Sequence, residues 1–240
     1  MDEDVVLARR VAIRKAIEIL KDCCRDGCIV GIGTGSTVAQ FIEELAKESS
    51  LNVLAKSIVF CSSIDTCLRL SRYGVVCSDI HALESVQSID IYIDSADEVD
   101  PRCFMIKGGG GALLREKVLT EMSRIRLFVV DYRKVSQFIG TKFALPVEVI
   151  PVAYPLLKKR LESLGLPYEL RMGGRKKGPV ITDNGNYIVD VVTGPMKNPE
   201  EMDRIIKSVP GVAETGIFYP THVTKILVGH PNGSLDIYEP

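Results

Sequence analysis

Short apolar runs alternate with segments of helical periodicity through the first 131 residues, and this alternation limits the fold more than any other feature of the chain. Apolar side chains recur at three- and four-residue spacing in residues 4–22, which predicts an amphipathic helix. The same spacing returns in residues 37–47, 63–73 and 113–123. Between these helices, predicted strands cover residues 28–32, 57–61, 75–77, 89–93 and 127–131. Strands that alternate with helices form a parallel sheet, so we expect a Rossmann-like α/β fold, an open parallel sheet with helices on both faces.

The pattern changes after Lys134. Helices are predicted over residues 154–164 and 199–208, and strands over residues 147–150, 168–171, 180–182, 187–192 and 212–217. This β-α-β-β-α-β order predicts a small ferredoxin-like α+β domain at residues 139–218. A last apolar run, residues 225–229, could return to the first sheet. Residues 1–138 and 219–240 are therefore predicted to form the Rossmann-like catalytic domain.

The charge of the chain is nearly balanced, because 30 basic and 31 acidic residues leave a net charge of −1. Such a balance supplies no general field for nucleic acid or for an anionic membrane, so neither is expected as a partner. The N-terminal residues have neither the apolar block of a secretory signal nor the acid-poor composition of a transit peptide. We expect a cytoplasmic protein, and leave open whether a targeting segment precedes these residues.

Seven cysteines and three histidines give no sign of a metal site. The number of cysteines is odd, and no pair of CxxC units suggests a zinc quartet. Cys23, Cys24 and Cys28 fall between a helix and a strand and are predicted to be reduced core thiols, which favours a reducing compartment. The histidines at 81, 222 and 230 do not cluster with other ligands in the sequence and are interpreted as surface or hydrogen-bonded core residues.

The first of three glycine-marked loops spans residues 31–37, with the sequence GIGTGST, between a predicted strand and a predicted helix. A dinucleotide fingerprint would need glycine at position 36, and a P-loop would need a lysine before the hydroxyl residue. The hydroxyls of Thr34, Ser36 and Thr37, with backbone N–H groups at a helix N-terminus, suit a phosphate dianion. A tight turn with a capping hydroxyl is the structural alternative, and phosphate binding is the preferred interpretation.

The second loop, residues 94–100, places four acids directly after a predicted strand. Ligands bind at the carboxyl ends of strands in open α/β sheets, and two carboxylates three residues apart in a turn could reach one small ligand. Asp94, at the end of the strand, is therefore predicted to be functional, with Asp97 as its neighbour. For Glu98 and Asp100 we prefer the interpretation of a solvated acidic loop.

The third loop is a run of four glycines, residues 108–111, which begins after Lys107 and leads into a predicted helix. Glycines allow the backbone to approach a ligand closely, and their N–H groups could hold a developing oxyanion. Glu116 falls in the first turns of the helix, where a carboxylate is favoured and can point towards the loop. The structural alternative is that residues 115–117 are a solvated helix face.

Together the three loops favour a reaction in which a proton is removed from the carbon next to a carbonyl group. They supply a phosphate cradle, an acidic pair, a lysine, an oxyanion-type glycine loop and a helical glutamate. No Ser–His pair suggests a nucleophile, and a redox reaction would need a cofactor motif that the sequence lacks. No cofactor and no metal are therefore predicted.

At these residues the sequence resembles the ribose-5-phosphate isomerase A family. GIGTGST, DSADE, KGGGGALLREK, LPVEVIP and TDNGNYIVD match segments of that family in its order, over most of residues 29–228. The resemblance implies interconversion of ribose 5-phosphate and ribulose 5-phosphate through a cis-enediolate, in the pentose phosphate pathway, without cofactor or metal.

The resemblance also implies a role for each matching residue. Glu116 would be the base, Lys107 would stabilise the oxyanion, and Asp94 and Asp97 would handle hydroxyl protons and ring opening. Phosphate and neighbouring oxygens would be held at four positions of the first loop and by a lysine after the next strand. The implied substrate-binding residues are Thr34, Gly35, Ser36, Thr37, Asp94, Ser95, Ala96, Asp97, Lys107, Gly108, Gly109, Gly110 and Lys134.

One departure and several questions accompany this resemblance. The family commonly has glycine where this chain has Ser95, and a positive φ there would strain a serine by about 1 kcal/mol. A sugar-phosphate sensor without turnover, or a nucleotide-dependent transferase or dehydrogenase, are the competing classes. The pentose 5-phosphate is the expected partner, with arabinose or allose phosphates as open alternatives, and a homodimer or homotetramer is expected.

Overall fold

The computed structural model describes residues 2–47, 50–174 and 177–240. Its helices are α1 (Glu3–Cys23), α2 (Ser36–Lys47), α3 (Leu51–Ala55), α4 (Ile64–Ser71), α5 (Leu113–Glu121), α6 (Tyr154–Ser163) and α7 (Pro199–Lys207). Its strands are β1 (Ile29–Ile32), β2 (Ile58–Cys61), β3 (Ile89–Asp94), β4 (Glu98–Val99), β5 (Met105–Ile106), β6 (Ser123–Asp131), β7 (Leu145–Val149), β8 (Tyr168–Leu170), β9 (Tyr187–Val191), β10 (Val212–Thr215), β11 (Ile217–Phe218), β12 (Lys225–Gly229) and β13 (Leu235–Tyr238).

The first of two compact units comprises Met1–Ala96, Arg115–Arg133 and Pro220–Pro240. It is built on a six-stranded sheet of order β13-β12-β6-β3-β1-β2. All neighbouring strands in it are parallel except the antiparallel pair β12–β13. The predicted return of the last apolar run to this sheet is confirmed, because β12 pairs with β6. The Rossmann-like parallel sheet is confirmed as well.

Helix α1 shows why this unit forms where the sequence predicts it. Asp2 accepts a hydrogen bond from the N–H of Asp4, which caps the helix start, and acids occupy its first turn. Ile13, Ile17 and Leu20 lie on one face and join the strands in a common apolar core. The backbone of α1 packs so closely on β12 that a Cβ at Gly229 would lie 1.9 Å from the carbonyl oxygen of Ala8.

The second unit comprises Asp97–Leu114 and Lys134–Tyr219. Its four-stranded antiparallel sheet has the order β10-β7-β9-β8, and helices α6 and α7 precede β8 and β10 along the chain. This is the predicted ferredoxin-like arrangement, and it is confirmed. A small sheet of order β11-β5-β4 belongs to the same unit, so residues 97–114 group here rather than with the first sheet as we expected.

Three predicted strands differ in the structure. Residues 75–77 and 180–182 were expected to be strands, and each contributes only a single bridge, Cys77 to Val59 and Ile181 to Tyr187. The predicted strand 212–217 is divided into β10 and β11. The division falls at Gly216, where a Cβ would lie 2.2 Å from the carbonyl oxygen of Lys107. In the described chain, no helix is both long and apolar enough to cross a membrane.

The expectation of reduced thiols after α1 is wrong for two of the three cysteines. A disulfide joins Cys24 and Cys28, whose Cα atoms are 5.4 Å apart. The turn between them brings them together, with Gly27 at a φ of 84° and the N–H of Cys28 donating to the carbonyl of Arg25 at 3.0 Å. Cys23 is not disulfide-bonded, but it is exposed, so the predicted core position is wrong for this residue.

Candidate active site

The order of strands in the first unit creates a crevice at the carboxyl ends of β1 and β3. From β1 the chain continues to β2 on one side, whereas β3 lies on the other side of β1. The loops after β1 and β3 therefore diverge, which is the arrangement that opens a ligand site in α/β sheets. The loop after β1 carries Thr34, and β3 ends on Asp94, as the sequence predicted.

Asp94 is buried and accepts hydrogen bonds from three neighbouring groups. Only 1% of its surface is exposed. Its Oδ1 accepts from the N–H groups of Thr34 and Ser95 at 3.2 and 2.7 Å, and its Oδ2 accepts from the hydroxyl of Tyr92 at 2.5 Å. A Cβ at Gly33 would lie 1.9 Å from the Asp94 carboxyl carbon, so the loop requires glycine at this position.

The rest of the first loop presents hydroxyl groups at the start of α2. Gly31 and Ile32 belong to β1, so the loop is shorter than the motif suggested. Thr34 Oγ1 lies 2.7 Å from the hydroxyl of Ser63, and Gly35 has a φ of 104°, a conformation that favours glycine. Helix α2 begins at Ser36, and Thr37 is buried in its first turn. Its backbone N–H groups and dipole favour an anion.

Arg9 is a residue of this region that the sequence analysis missed. It lies on the buried face of α1, where its Nη1 donates to the hydroxyl of Ser36 at 3.2 Å and its Nε donates to Asp131 at 3.0 Å. Its positive charge therefore lies beside the N-terminus of α2. An arginine at a helix position that shares the apolar face is unusual, and that was the signal available in the sequence.

Glu116 and Tyr92 complete a buried acidic group with Asp94. Glu116 is 3% exposed and lies in the first turn of α5, and Tyr92 is fully buried on β3. Burial first, and then the negative charges of Asp94 and Glu116, raise the pKa of Tyr92 well above its usual value. The phenol therefore stays protonated as a hydrogen-bond donor. Tyr92 was missed because an aromatic residue inside an apolar strand gives no functional signal.

The second unit holds the glycine loop in a defined conformation. The N–H of Gly109 donates to Asp97 at 2.7 Å, and Gly108 and Gly111 have φ values of 108° and 74°. Lys107 is 2% exposed, and its Nζ lies 5.4 Å from the ring centre of Phe218. The loop is thus an ordered structure whose peptide groups have fixed directions.

Arg171, which the sequence analysis also missed, orients these peptides. Its Nη1 donates to the carbonyl oxygens of Gly108 and Gly109 at 2.9 and 3.1 Å, and Asp190 holds the guanidinium through two hydrogen bonds. Because C=O and N–H point in opposite directions in a trans peptide, the N–H of Gly110 is directed away from Arg171. No local sequence signal links this arginine to a loop more than 60 residues earlier.

The remaining acids of the second loop are not solvated, contrary to our expectation. Glu98 and Asp100 are both 0% exposed. Glu98 accepts from the backbone N–H groups of residues 140, 142 and 143, at 2.8 to 3.2 Å. Asp100 forms an ion pair with Arg102 at 2.6 Å. These acids organise the backbone of the second unit.

Ser95 carries no backbone strain of the kind considered from the sequence. Among the described residues, Cys103 is the one non-glycine residue with a positive φ, at 66°. Ser95 and Ala96 are buried directly after Asp94. Lys134 is partly buried at the end of the 3₁₀ turn Tyr132–Lys134, and it belongs to the second unit. The role predicted for Lys134 stays a prediction.

The fold and these residues define a class: α/β proteins with buried carboxylates and a hydroxyl-bearing helix N-terminus at the carboxyl edge of a parallel sheet. The family model for Ribose 5-phosphate isomerase A (phosphoriboisomerase A) matches residues 58–233. The chain is 38% identical over 229 residues to Ribose-5-phosphate isomerase A of Thermosynechococcus vestitus, covering 95% of this chain and 94% of that protein. It is 38% identical over 231 residues to the protein of that name from Pasteurella multocida, with 96% and 98% coverage.

Solved structures agree with this assignment. A D-ribose-5-phosphate isomerase in complex with phospho-erythronic acid superposes with a TM-score of 0.88 at 32% identity, covering 99% of this chain and 100% of that one. The ribose 5-phosphate isomerase A of Methanocaldococcus jannaschii has a TM-score of 0.83 at 35% identity, with 96% and 99% coverage. The chain belongs to the ribose-5-phosphate isomerase A family, and it is an isomerase.

Proposed function

We propose that this chain interconverts D-ribose 5-phosphate and D-ribulose 5-phosphate, the aldose–ketose isomerisation of the non-oxidative pentose phosphate pathway. The observation that carries the proposal is the buried group of Glu116, Asp94 and Tyr92 at the carboxyl edge of the parallel sheet. Burying carboxylates costs free energy, and such buried ionisable groups cluster at catalytic sites, where they serve acid–base chemistry. The related structure with phospho-erythronic acid, a phosphorylated sugar acid, supports a sugar phosphate as the ligand.

Glu116 is assigned as the base. Its carboxylate is buried in the first turn of α5, beside Tyr92 and Asp94. In the proposed reaction Glu116 takes the proton from C2 of the open-chain aldose and returns it to C1 of the cis-enediolate. The electron pair of the C2–H bond forms the C1–C2 double bond, and the carbonyl oxygen at C1 takes up the negative charge.

Groups of the second unit are proposed to stabilise the negative charge on that oxygen. Lys107 supplies a positive charge, and the glycine loop supplies N–H donors held in fixed directions. The N–H of Gly109 already donates to Asp97, so the oxyanion donors proposed are Gly110, directed away from Arg171, and Gly108. Donors fixed in advance need no reorganisation when the charge develops.

Asp94 and Asp97 are assigned to the sugar hydroxyls and to ring opening. Two Asp94 oxygens are fixed by Tyr92, Thr34 and Ser95, so the carboxylate has one orientation. Ser95 and Ala96 extend the same strand end and would contact the sugar through their backbone.

The phosphate is assigned to the start of α2. Thr34, Gly35, Ser36 and Thr37 would hold the dianion with hydroxyl and N–H donors, and the buried charge of Arg9 favours an anion there. Lys134 is proposed as a further cation. Binding energy from this remote group would orient C1 and C2 for proton transfer.

The proposed chemistry requires no organic cofactor and no metal, since Glu116, Lys107 and the loop amides supply the base and the charge stabilisation. Cytoplasmic localisation and a homodimer or homotetramer are proposed on the same footing.

The test is conversion of ribose 5-phosphate to the ketose by the purified chain without added cofactor, compared with the Glu116→Gln variant. We expect Glu116→Gln to lower kcat by ~10²–10⁴, the usual contribution of a positioned acid–base group, with little change in substrate affinity. Glu84→Gln, at an exposed glutamate of the same unit, is the control and should match the unmodified protein. A chain that binds ribose 5-phosphate without turnover would be a sensor, and near-normal kcat in Glu116→Gln would exclude Glu116 as the base.

A further inference from the structure

Three cysteines that lie on separate elements, with Cys61 and Cys77 16 residues apart, meet in the first unit. Cys61 ends β2, Cys67 lies on α4, and Cys77 is bridged to β2 through Val59. Their sulfur atoms all lie within 4.8 Å of one another, and those of Cys61 and Cys77 are 3.3 Å apart. We call Cys61, Cys67 and Cys77 the three-cysteine cluster. None of the three is disulfide-bonded.

The three-cysteine cluster opens onto a pocket of about 670 Å³ whose lining includes none of the residues assigned to isomerisation. The pocket borders them at Ser63, which is hydrogen-bonded to Thr34, and at Arg115, which precedes Glu116. Cys61 is buried, whereas Cys67 and Cys77 are half-buried, so one side of the cluster faces the pocket. Arg115 lines the same pocket. Its positive charge offsets part of the negative charge that several thiolates would bring to one place.

This geometry matches the needs of a thiolate-bound metal ion. Zinc–sulfur bonds are about 2.3 Å long, so sulfurs that share a tetrahedral ion lie about 3.8 Å apart. The distances in the three-cysteine cluster bracket this value, and small side-chain rotations would equalise them. Soft thiolate ligands select Zn(II), Cd(II) and Cu(I) over the hard cations that prefer oxygen.

We propose that Cys61, Cys67 and Cys77 form a three-thiolate binding site for one thiophilic metal ion of the Zn(II) and Cd(II) class, with the fourth coordination position directed into the pocket. Binding releases the protons of those cysteines that are thiols, and water from the pocket completes the coordination. The site serves binding and stability and takes no part in the isomerase reaction. It therefore stands independently of the proposed function.

The test is a titration of the chain with Cd(II), monitored by the ultraviolet charge-transfer absorption of cadmium thiolates. A reductant keeps the thiols free, so the background carries Cys24→Ser and Cys28→Ser to remove the second group of thiols that reduction would release. We expect one Cd(II) per chain, displaced by Zn(II). Cys67→Ser should weaken Cd(II) binding about 100-fold or more. Mutation of a residue that only hydrogen-bonds to a metal ligand already lowers metal affinity by up to about 100-fold, and loss of a ligand itself should cost at least as much. Cys23→Ser, at an exposed cysteine outside the cluster, should bind normally.

A second measurement covers the case in which Cys67→Ser does not fold. In the unmodified cluster, Cd(II) should protect Cys61, Cys67 and Cys77 from alkylation by iodoacetamide and leave Cys23 reactive, as mass spectrometry of peptides would show. The proposal is overturned if the reduced chain binds no Cd(II), if Cys67→Ser binds as tightly as its parent, or if the three cysteines are alkylated equally with and without Cd(II). It is also overturned if Cys61 and Cys77 are joined by a disulfide that the reductant does not open.

Discussion

The substitution Tyr92→Phe tests the buried acidic group most directly. It removes one hydroxyl, which donates to Asp94 Oδ2 at 2.5 Å, and leaves the ring in place. The ring keeps its edge contact with Phe128, at a centroid distance of 6.3 Å, and its close approach to Gly31. The variant therefore removes this hydrogen bond and the hydroxyl's interaction with Ser62, and it changes almost no packing.

The expected size of the effect follows from burial. Tyr92 and Asp94 are 0% and 1% exposed, so water does not replace the lost donor. Hydrogen bonds to charged groups contribute about 1.5–3 kcal/mol, so we expect the free energy of unfolding to fall by about 2 kcal/mol. For a chain of this length that corresponds to a decrease in Tm of roughly 4–8 °C. If the orientation of Asp94 contributes the same free energy of about 2 kcal/mol to the transition state, kcat/KM falls about 30-fold.

Thermal unfolding and steady-state kinetics with ribose 5-phosphate measure both quantities on the same preparation. Tyr73→Phe is the matched control, since Tyr73 belongs to the same unit and is 45% exposed. Its Tm and kcat/KM should equal those of the unmodified chain. If Tyr92→Phe also behaves like the control, the phenol does not support Asp94, and the reasoning from burial and the short hydrogen bond is refuted.

Three further predictions follow from the structure. Gly33→Ala should lower the free energy of unfolding by about 1–3 kcal/mol and reduce kcat, because the new Cβ would clash with the Asp94 carboxylate. Gly174→Ala, where a Cβ would meet open space, should change neither quantity in the same denaturation and activity assays. Arg171→Met should lower kcat by about tenfold or more with little change in KM, because the carbonyls of Gly108 and Gly109 lose the hydrogen bonds that orient the loop peptides. An unchanged kcat would show that Arg171 does not support the loop during the reaction. Burial above all, and nearby positive charges, hold the pKa of His222 below its usual 6.5 despite its carboxylate partner, so the folded state binds this proton less readily than the unfolded chain. The free energy of unfolding should therefore fall as the pH drops below about 6.5. In urea unfolding between about pH 7 and pH 5, His222→Gln should make this pH dependence weaker, and an unaltered slope would contradict the prediction.

The positions of most helices and strands could be predicted because they depend on local patterns. Helix α1 follows from apolar residues three and four apart and from the cap at Asp2, and both are properties of neighbouring residues. Strand ends that carry glycine or aspartate could likewise be recognised. Since carboxyl ends of parallel strands meet at one edge, the sequence alone brought Thr34 and Asp94 together.

Residues whose environment depends on distant segments could not be predicted in the same way. Glu98 was expected in water and is fully buried, because its amide partners come from residues 140–143. The three-cysteine cluster lies in a much shorter stretch, with Cys61 and Cys77 16 residues apart, but it too forms only when β2, α4 and the bridge at Cys77 pack together.

The division between sequence and tertiary structure is clearest at the site itself. The sequence by itself determined the three loops, their glycines and the acids at the strand ends, because turn geometry and strand termination are set by adjacent residues. Only the tertiary structure decided which groups hold those loops in place. Arg9 reaches Ser36 from another helix, and Arg171 reaches the glycine loop from more than 60 residues away. Such contacts depend on how separate elements pack, and a long polar side chain carries no local mark of the partner it will meet.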